Sequence, residues 1–269
     1  MDQPPTSGDL HILQITDCHL YSDKDTSLLG VNTLESFLGV LAAAVPDQEC
    51  RPDAVIATGD LVHDGSETGY HRLADAIGDL SEHKATLPGN HDDPRMMQKV
   101  LPDRGIQVCG TLELGDWCLV LLNSHQAGQE SGYLSASELA RLDRIIADFP
   151  GHILIFVHHQ PLPIGSSWLD RIALANGGEL LARVRRNPAI KGVAWGHVHQ
   201  QWRQRLNHAE LLATPSTCVQ FDPGASQFAL ALEPPGWRSF TLHADGRLST
   251  EVFRLPQLPM GLAVDSAGY

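Results

Sequence analysis

The chain has 269 residues, 42% of them apolar, and its 19 lysines and arginines against 32 aspartates and glutamates give a formal net charge of −13. An apolar content this high allows a large core and excludes an intrinsically disordered chain. The acidic balance argues against nucleic-acid binding and against a polybasic membrane anchor, because both need a surface rich in lysine and arginine.

The lengths of the apolar runs and the number of cysteines indicate where in the cell the protein is located. The longest apolar runs, such as Cys118–Leu122 and Ile153–Val157, are far shorter than the roughly 20 residues of a membrane-spanning helix. The N-terminal MDQPPTSGDL lacks the cationic and apolar segments of a signal peptide. The five cysteines are odd in number and form no CxxC pair, so we expect reduced thiols. These features predict a cytoplasmic protein.

Six apolar strands are predicted in chain order, and each runs into polar residues that are common metal ligands. They cover Leu10–Thr16, Asp53–Thr58, His83–Pro88, Gly115–Leu122, His152–Val157 and Ile190–Trp195. Helical periodicity predicts helices at 32–45, 67–80, 135–149 and 177–186, with Asn32 and Ser135 as N-caps. This alternation indicates an α/β fold with a mostly parallel sheet, whose binding site lies at the carboxyl ends of the strands.

The last quarter of the chain has a different pattern, with short strands predicted at 201–213, 218–221, 228–232 and 237–254. The last of these is interpreted as a hairpin that turns at 244–247. We expect these strands to form a second, more antiparallel sheet that packs on the first. Residues 1–269 then form a single domain, with motifs at 17–199, second-sheet strands at about 201–254 and a short tail at 255–269.

Five short motifs follow the predicted strands: Asp17-Cys-His19, Gly59-Asp60, Gly89-Asn-His-Asp92, His158-His159 and Gly196-His-Val-His199. Taken singly, each has an ordinary structural explanation, such as a loop aspartate or a capped strand end. Together they offer seven oxygen or imidazole ligands without a thiolate: Asp17, His19, Asp60, Asn90, His158, His197 and His199. Two divalent ions that share one carboxylate need about this number, and the donor set suits manganese, iron or zinc rather than a structural zinc site.

The order of these motifs resembles that of the calcineurin-like metallophosphoesterases. Four further segments, at 28–36, 165–171, 211–221 and 235–252, are similar to bacterial class III 3′,5′-cyclic-AMP phosphodiesterases. The resemblance implies a two-sheet β-sandwich flanked by helices, in four layers α/β/β/α. It implies one metal ion on Asp17, His19, Asp60 and His199, and a second on Asp60, Asn90, His158 and His197, with Asp60 as the bridge.

The resemblance also implies the reaction, hydrolysis of cyclic AMP to 5′-AMP, which lowers cellular cyclic AMP. Two divalent ions per chain are expected, iron or manganese first, with zinc or cobalt as alternatives. The expected catalytic residues are His91, which protonates the leaving oxygen, and Asp92, which orients His91. Substrate contacts are expected from His19, Asp60, Asn90, His91 and His199. The expected partner is thus a small cyclic nucleotide, without nucleic acid or membrane, and the chain is expected to be a monomer or homodimer.

Two other functions stay open: a broader metallophosphoesterase that acts on glycerophosphodiesters or phosphomonoesters, and a non-catalytic scaffold on the same fold. Trp168 is expected either to stack on adenine or to pack internally, and His125 either to approach the substrate or not. His159 is expected outside the metal shell, and the Cys18 side chain is expected to point away from the ligands. His63 and its neighbour Asp64 are expected to be helix-start residues rather than catalytic ones.

Overall fold

Two six-stranded mixed sheets form the centre of the computed structural model, which describes residues 8–266 and 268. In this part of the chain the strands are β1 (Leu10–Ile15), β2 (Ser27–Leu28), β3 (Val31–Asn32), β4 (Ala54–Ala57), β5 (His83–Thr86), β6 (Gln107–Val108), β7 (Gly110–Leu114), β8 (Trp117–Leu121), β9 (His152–Phe156), β10 (Ile190–Trp195), β11 (Trp202–Leu206), β12 (Ala209–Ala213), β13 (Gln220–Phe221), β14 (Leu230–Ala231), β15 (Gly236–Leu242) and β16 (Leu248–Arg254). The helices are α1 (Thr33–Ala44), α2 (Glu67–Ile77), α3 (Pro94–Val100), α4 (Ala136–Asp148), α5 (Ser167–Asp170) and α6 (Gly177–Arg186).

The two sheets have similar architectures. The first has the order β16-β15-β1-β4-β5-β6, and the second has the order β11-β12-β10-β9-β8-β7. Strands β1, β4, β5 and β6 are mutually parallel, as are β12, β10, β9 and β8. The remaining pairings, of β15 with β1 and β16 and of β7 and β11 with their neighbours, are antiparallel. Each sheet therefore presents a row of parallel carboxyl ends.

Side chains alternate between three apolar layers, as the two-residue period of a strand requires. Ile56 of β4 and Phe156 of β9 lie in the core between the two sheets. Val55 packs with residues of α1 and α2 on the outer face of the first sheet, and Ile155 packs with residues of α4 and α6 on the outer face of the second. Three cores separate four layers, so the predicted α/β/β/α architecture is confirmed. No helix of the described chain is long and apolar enough to cross a membrane.

The local signals in the sequence predicted the helices that border the site. Helix α1 follows Asn32, whose side-chain oxygen accepts a hydrogen bond from the Glu35 amide at 3.0 Å. Helix α4 follows Ser135, whose hydroxyl accepts one from the Glu138 amide at 3.1 Å. Helix α2 ends at Ile77, three residues earlier than predicted, because the chain turns at 78–80.

Residues 201–254 do not form the separate antiparallel sheet expected from the sequence. Strands β11 and β12 extend the second sheet beside β10, and the β15–β16 hairpin extends the first sheet beside β1. The small β13–β14 ladder stands apart from both. The physical reason is the burial of β12, which is covered on both faces and pairs in parallel with β10, as an internal strand does.

Candidate metal centre

The seven predicted ligands meet where the carboxyl ends of the two sheets face each other. Residues 17, 19, 60 and 90 follow β1, β4 and β5 of the first sheet, and residues 158, 197 and 199 follow β9 and β10 of the second. Six of the seven are buried, and Asn90 is half-buried. The ligand atoms of Asp17, His19 and His199 lie within 4.8 Å of one another, as do those of Asp17, Asp60 and His158.

Asp60 lies between the two halves of this cluster. Its Oδ2 atom is 3.3 Å from His158 Nε2 on one side and 4.0 Å from His19 Nε2 on the other. Asp17 is placed in the same way beside the second sheet, with its Oδ1 atom 3.3 Å from His199 Nε2. The His197 amide donates to the Asp17 carboxylate at 3.1 Å, which ties the end of β10 to the end of β1. The two sheets are therefore joined through the side chains of the centre itself.

Backbone carbonyls orient two of the histidine rings. His158 Nδ1 donates to the Thr58 carbonyl at 2.8 Å, and His199 Nδ1 donates to the Val219 carbonyl at 2.8 Å. Because a carbonyl only accepts, the proton of each neutral ring is on Nδ1 and the lone pair is on Nε2. This is the orientation of a ring that binds a metal ion through Nε2.

Two buried polar atoms indicate that a cation fits here. Asn90 Oδ1 and His197 Nε2 have no hydrogen-bond partner among the described residues. A buried polar atom without a partner costs about 1–3 kcal/mol, so native proteins rarely leave such atoms in one site. Both belong to the predicted second-metal set, and their oxygen and nitrogen donors suit a divalent transition metal. The residues present therefore fit a metal ion.

The pKa values of the histidines agree with this interpretation. Burial lowers the pKa of His197 to about 3 and holds the pKa of His19 well below its ordinary value. Both rings are thus neutral at pH 7, the form that ligates metals. Burial also disfavours the charged form of His158, but the adjacent Asp60 carboxylate raises the pKa of His158 to about 9. A cation that binds Asp60 and His158 must displace this proton.

The backbone at the centre is unusual. Eight non-glycine residues have positive φ in the described part of the chain, and five of them are predicted ligands: Asp17, His19, Asp60, His197 and His199. The left-handed region costs non-glycine residues free energy, and such strain concentrates at functional sites. The sharp turns point these side chains back across the strand ends.

Close packing explains why glycine precedes two of the ligands. A Cβ atom on Gly89 would overlap the carboxylate and the amide nitrogen of Asp60. A Cβ atom on Gly196 would overlap Thr16 Oγ1 and lie 2.5 Å from Asp17 Oδ2. The glycines of the two motifs therefore allow neighbouring loops to approach the carboxylates.

Asp92 braces the loops that carry Asn90 and Asp60. Its buried carboxylate accepts hydrogen bonds from the Leu61, Val62 and Gly89 amides at 2.9–3.2 Å and from the Tyr70 hydroxyl at 2.9 Å. Burial and the nearby Asp60 raise the pKa of Asp92. These contacts fix the positions of two loops.

His63 belongs to the centre, although the sequence analysis treated it as a helix-start residue. Its Nδ1 atom is 3.0 Å from His19 Nδ1, and its ring stacks on that of His91 with a centroid distance of 4.4 Å and an interplanar angle of 22°. Burial and the adjacent His91 lower the pKa of His63 to about 4. The sequence signal that could have placed His63 at the centre is its position three residues after Asp60, in the same loop.

Four other singled-out residues lie around the centre. His159 uses both ring nitrogens within the protein, with Ser124 Oγ at 2.8 Å and the Glu130 carbonyl at 3.1 Å, and it also lies beside His158 and His197. His125 Nδ1 donates to the Gly89 carbonyl at 2.8 Å. Cys18 packs in the apolar core beneath the first sheet. Asp64 accepts from Ser66, which caps α2, as a helix-start residue does.

A cavity of about 220 Å³ opens beside the ligands. Its lining includes the polar residues Asn90, His91, His197 and Glu130 and the apolar residues Trp168, Leu169, Ile172, Phe221 and Phe228, together with Gly268. The Trp168, Phe221 and Phe228 rings contact one another with centroid distances of 5.0–5.6 Å. The cavity thus joins the metal ligands to an aromatic wall.

Comparisons with known proteins identify the family of the chain. Residues 10–201 match the calcineurin-like phosphoesterase family. The chain is 44% identical over 269 residues to 3′,5′-cyclic adenosine monophosphate phosphodiesterase CpdA of Escherichia coli K12, with 98% of each chain covered. It is 36% identical to the protein of the same name from Pseudomonas aeruginosa, with 99% of this chain and 97% of that one covered.

Solved structures share the fold at low sequence identity. A dimetal phosphatase from Danio rerio superposes with a TM-score of 0.59 at 14% identity, over 93% of this chain and 99% of that one. The purple acid phosphatase PPD1 from yellow lupin gives 0.62 at 13% identity, over 94% of this chain and 52% of that one. With its motifs, its two-sheet fold and its near-full-length relatives, the chain belongs to the calcineurin-like phosphoesterase family.

Proposed function

We propose that this chain hydrolyses 3′,5′-cyclic AMP to 5′-AMP at the centre described above. The observation that carries the proposal is the cavity in which predicted metal ligands and an aromatic wall face the same space. A cyclic nucleotide has these two parts, an anionic phosphodiester and a flat base. The relatives named as cyclic-AMP phosphodiesterases, 36–44% identical over nearly the whole chain, support this substrate.

Two divalent ions fit the seven ligands. Asp17, His19, Asp60 and His199 would hold one ion, and Asp60, Asn90, His158 and His197 would hold the other. When bound, the ions supply a hydroxide at neutral pH and neutralise the phosphoryl oxygens. The ligand set favours iron or manganese, and zinc and cobalt are alternatives. The availability of each metal decides which of them is bound.

His91 is placed to act on the leaving group. Hydrolysis joins a water oxygen to phosphorus and breaks the bond from phosphorus to the ribose 3′-oxygen, which leaves as an alkoxide and needs a proton. The His91 ring lines the cavity beside Asn90, and its amide donates to Asp60 Oδ1 at 2.9 Å. We assign His91 as the proton donor and Asp92 as a positioning residue for the two loops that it braces.

The rest of the cavity suits the nucleoside. With the phosphodiester at the end lined by Asn90 and His91, the base reaches the wall of Trp168, Phe221 and Phe228. Flat aromatic rings stack favourably on one another. We assign this wall to the base. A glycerophosphodiester has no flat ring that could stack on this wall.

The buried polar atoms without a partner at the proposed metal positions argue against the alternative of a scaffold that binds no metal.

The free cysteines support a place for this reaction inside the cell. All five are described in the structure and none forms a disulfide. Reduced thiols are usual in the cytoplasm.

A side-by-side assay tests the proposal. The protein, supplied with Mn²⁺ or Fe²⁺, is given cyclic AMP, cyclic GMP, bis-p-nitrophenyl phosphate and glycerophosphoethanolamine, with Asp60→Asn as the control that removes the shared ligand. We expect turnover of cyclic AMP with a higher kcat/KM than for glycerophosphoethanolamine, and its loss in Asp60→Asn. Absence of cyclic-AMP turnover with either metal, or a preference for the glycerophosphodiester, contradicts the proposal.

A further inference from the structure

Three histidine rings form a cluster at the edge of the metal centre, and His63 contacts both of the others. The His63 amide donates to the Leu20 carbonyl at 2.8 Å, which fixes its backbone against the loop that follows β1. The ring is half-buried, with Tyr21 at a centroid distance of 5.0 Å. His19, His63 and His91 place ring nitrogens within 4.8 Å of one another.

One side of the His63 ring serves His19. His19 Nε2 faces the ligand cluster, 3.3 Å from His199 Nε2 and 4.0 Å from Asp60 Oδ2. Its other nitrogen, Nδ1, faces His63 Nδ1 at 3.0 Å. A ring that ligates through Nε2 carries its proton on Nδ1, so His63 Nδ1 is positioned to accept that proton in a hydrogen bond. His63 Nδ1 thus accepts a hydrogen bond from His19 Nδ1. The Thr58 and Val219 carbonyls play the same part for the Nδ1 atoms of His158 and His199.

The flat face of His63 serves His91. The two rings are nearly parallel, whereas His91 meets His19 edge-on at 5.1 Å and 76°. A stacked neighbour restricts the rotation of the ring about its side-chain bonds and so fixes the direction in which its nitrogens point. The backbone of His91 is already anchored to Asp60, and the stack fixes its side chain.

We propose that His63 is a positioning residue that orients the metal ligand His19 through its Nδ1 atom and the proton donor His91 through its ring face. The inference rests on the proposed function, because it takes His91 as the donor to the leaving oxygen. His63 thus has two roles, one toward His19 and one toward His91. A different substitution removes each of them.

Two substitutions separate these roles. His63→Gln keeps a side-chain oxygen that can accept from His19 Nδ1 but has no ring for His91, and His63→Phe keeps a ring but has no acceptor. Each variant is assayed with cyclic AMP, whose alkoxide needs a proton, and with bis-p-nitrophenyl phosphate, whose phenolate leaves without one. Metal content and metal affinity are measured on the same samples. His71→Gln on α2, an exposed histidine outside the centre, is the matched control.

We expect His63→Gln to retain metal and to lose kcat for cyclic AMP by about tenfold or more, with bis-p-nitrophenyl phosphate within about twofold of wild type, as loss of oriented acid catalysis predicts. We expect His63→Phe to keep the ratio of the two activities and to bind metal about 10–100-fold more weakly, as for loss of a partner to a ligand ring. Equal losses on both substrates in His63→Gln, or unchanged metal affinity in His63→Phe, overturn the inference.

His91→Ala distinguishes failure of the inference from failure of the proposed function. If His91→Ala lowers only cyclic-AMP turnover and His63→Gln does not, the positioning role of His63 is wrong and the role of His91 stands. If His91→Ala lowers both substrates equally, the proposed role of His91 is itself wrong. His71→Gln keeps wild-type activity and metal affinity in either case.

Discussion

At the scale of single residues, hydrogen bonds and close backbone packing orient the predicted ligands of the centre. The carbonyls of Thr58 and Val219 fix two rings, and the glycines before Asn90 and His197 let loops approach the carboxylates. The sequence predicted that seven residues after strand ends come together, and the structure groups them, but it did not predict that His63 joins them. The role of His63 depends on how the loops after two separate strands meet. The residues on either side of His63 in the sequence do not indicate this contact.

Substitution of Gly89 tests how tightly this packing is required. In Gly89→Ala the new Cβ overlaps Asp60, so either the loop or the carboxylate must move. We expect a loss of about 1–3 kcal/mol in the free energy of unfolding, as for overpacking, together with weaker metal binding. Urea unfolding and metal titration measure the two effects.

Gly178→Ala is the control for Gly89→Ala. Gly178 lies near the start of α6, where a Cβ atom meets nothing within 4 Å. Alanine in a helix is more favourable than glycine by about 0.5–1 kcal/mol, so this variant is expected to be unchanged or slightly more stable. If the two variants unfold at the same urea concentration, the close approach of Gly89 to Asp60 does not contribute to stability.

At the scale of elements, Asp92 and Tyr70 connect the loops after β4 and β5 to α2. The Tyr70 hydroxyl donates to Asp92 Oδ1 at 2.9 Å and accepts from the Asp93 amide at 2.8 Å. Tyr70 is fully buried in α2, which packs under the first sheet. The helix thereby supports the loop that carries Asp60.

Removal of the Tyr70 hydroxyl tests this support. Tyr70→Phe leaves Asp92 with one donor fewer and the Asp93 amide without its acceptor, so we expect a loss of about 1–3 kcal/mol in unfolding free energy. Tyr133→Phe, at a tyrosine that is 46% exposed, is the control and should differ from wild type by no more than about 0.5 kcal/mol. Equal stability of the two variants in thermal or urea unfolding contradicts a bracing role.

Elements were predicted better than their pairing. The N-caps of α1 and α4 and the bounds of α6 and β10 follow from local patterns, and the structure agrees with them. Helix α3 was not predicted, although Asp93 and Pro94 are typical of a helix start. Which sheet β12 or β15 joins depends on pairing between strands. Val193 pairs with Leu211, and Ile12 pairs with Phe240 from the other end of the chain, and alternation within one strand does not reveal such pairs.

At the scale of the whole molecule, the net charge of −13 and an anionic substrate are compatible, because the proposed divalent ions, rather than lysine and arginine, would supply the positive charge. The same ions should affect stability. A ligand that binds only the folded state stabilises it by mass action, by about 2.7 kcal/mol at a concentration one hundred times its Kd.

Metal addition is therefore expected to raise the Tm of the chelated protein. The measurement is thermal unfolding after EDTA treatment, with and without added Mn²⁺, and it requires no substrate. We expect a clear upward shift in wild type and a much smaller one in His197→Ala, which lacks one buried ligand. A shift of equal size in both proteins would show that Mn²⁺ acts elsewhere on this acidic surface.

The division of the ligands between two sheets has a consequence for the order of assembly. His19 and His199, whose Nε2 atoms lie 3.3 Å apart, are 180 residues apart in the chain and belong to different sheets. Neither sheet alone carries a complete set of the ligands proposed for either ion. We therefore expect high-affinity metal binding to come late in folding, after the sheets have docked, and the bound ions to slow the separation of the sheets.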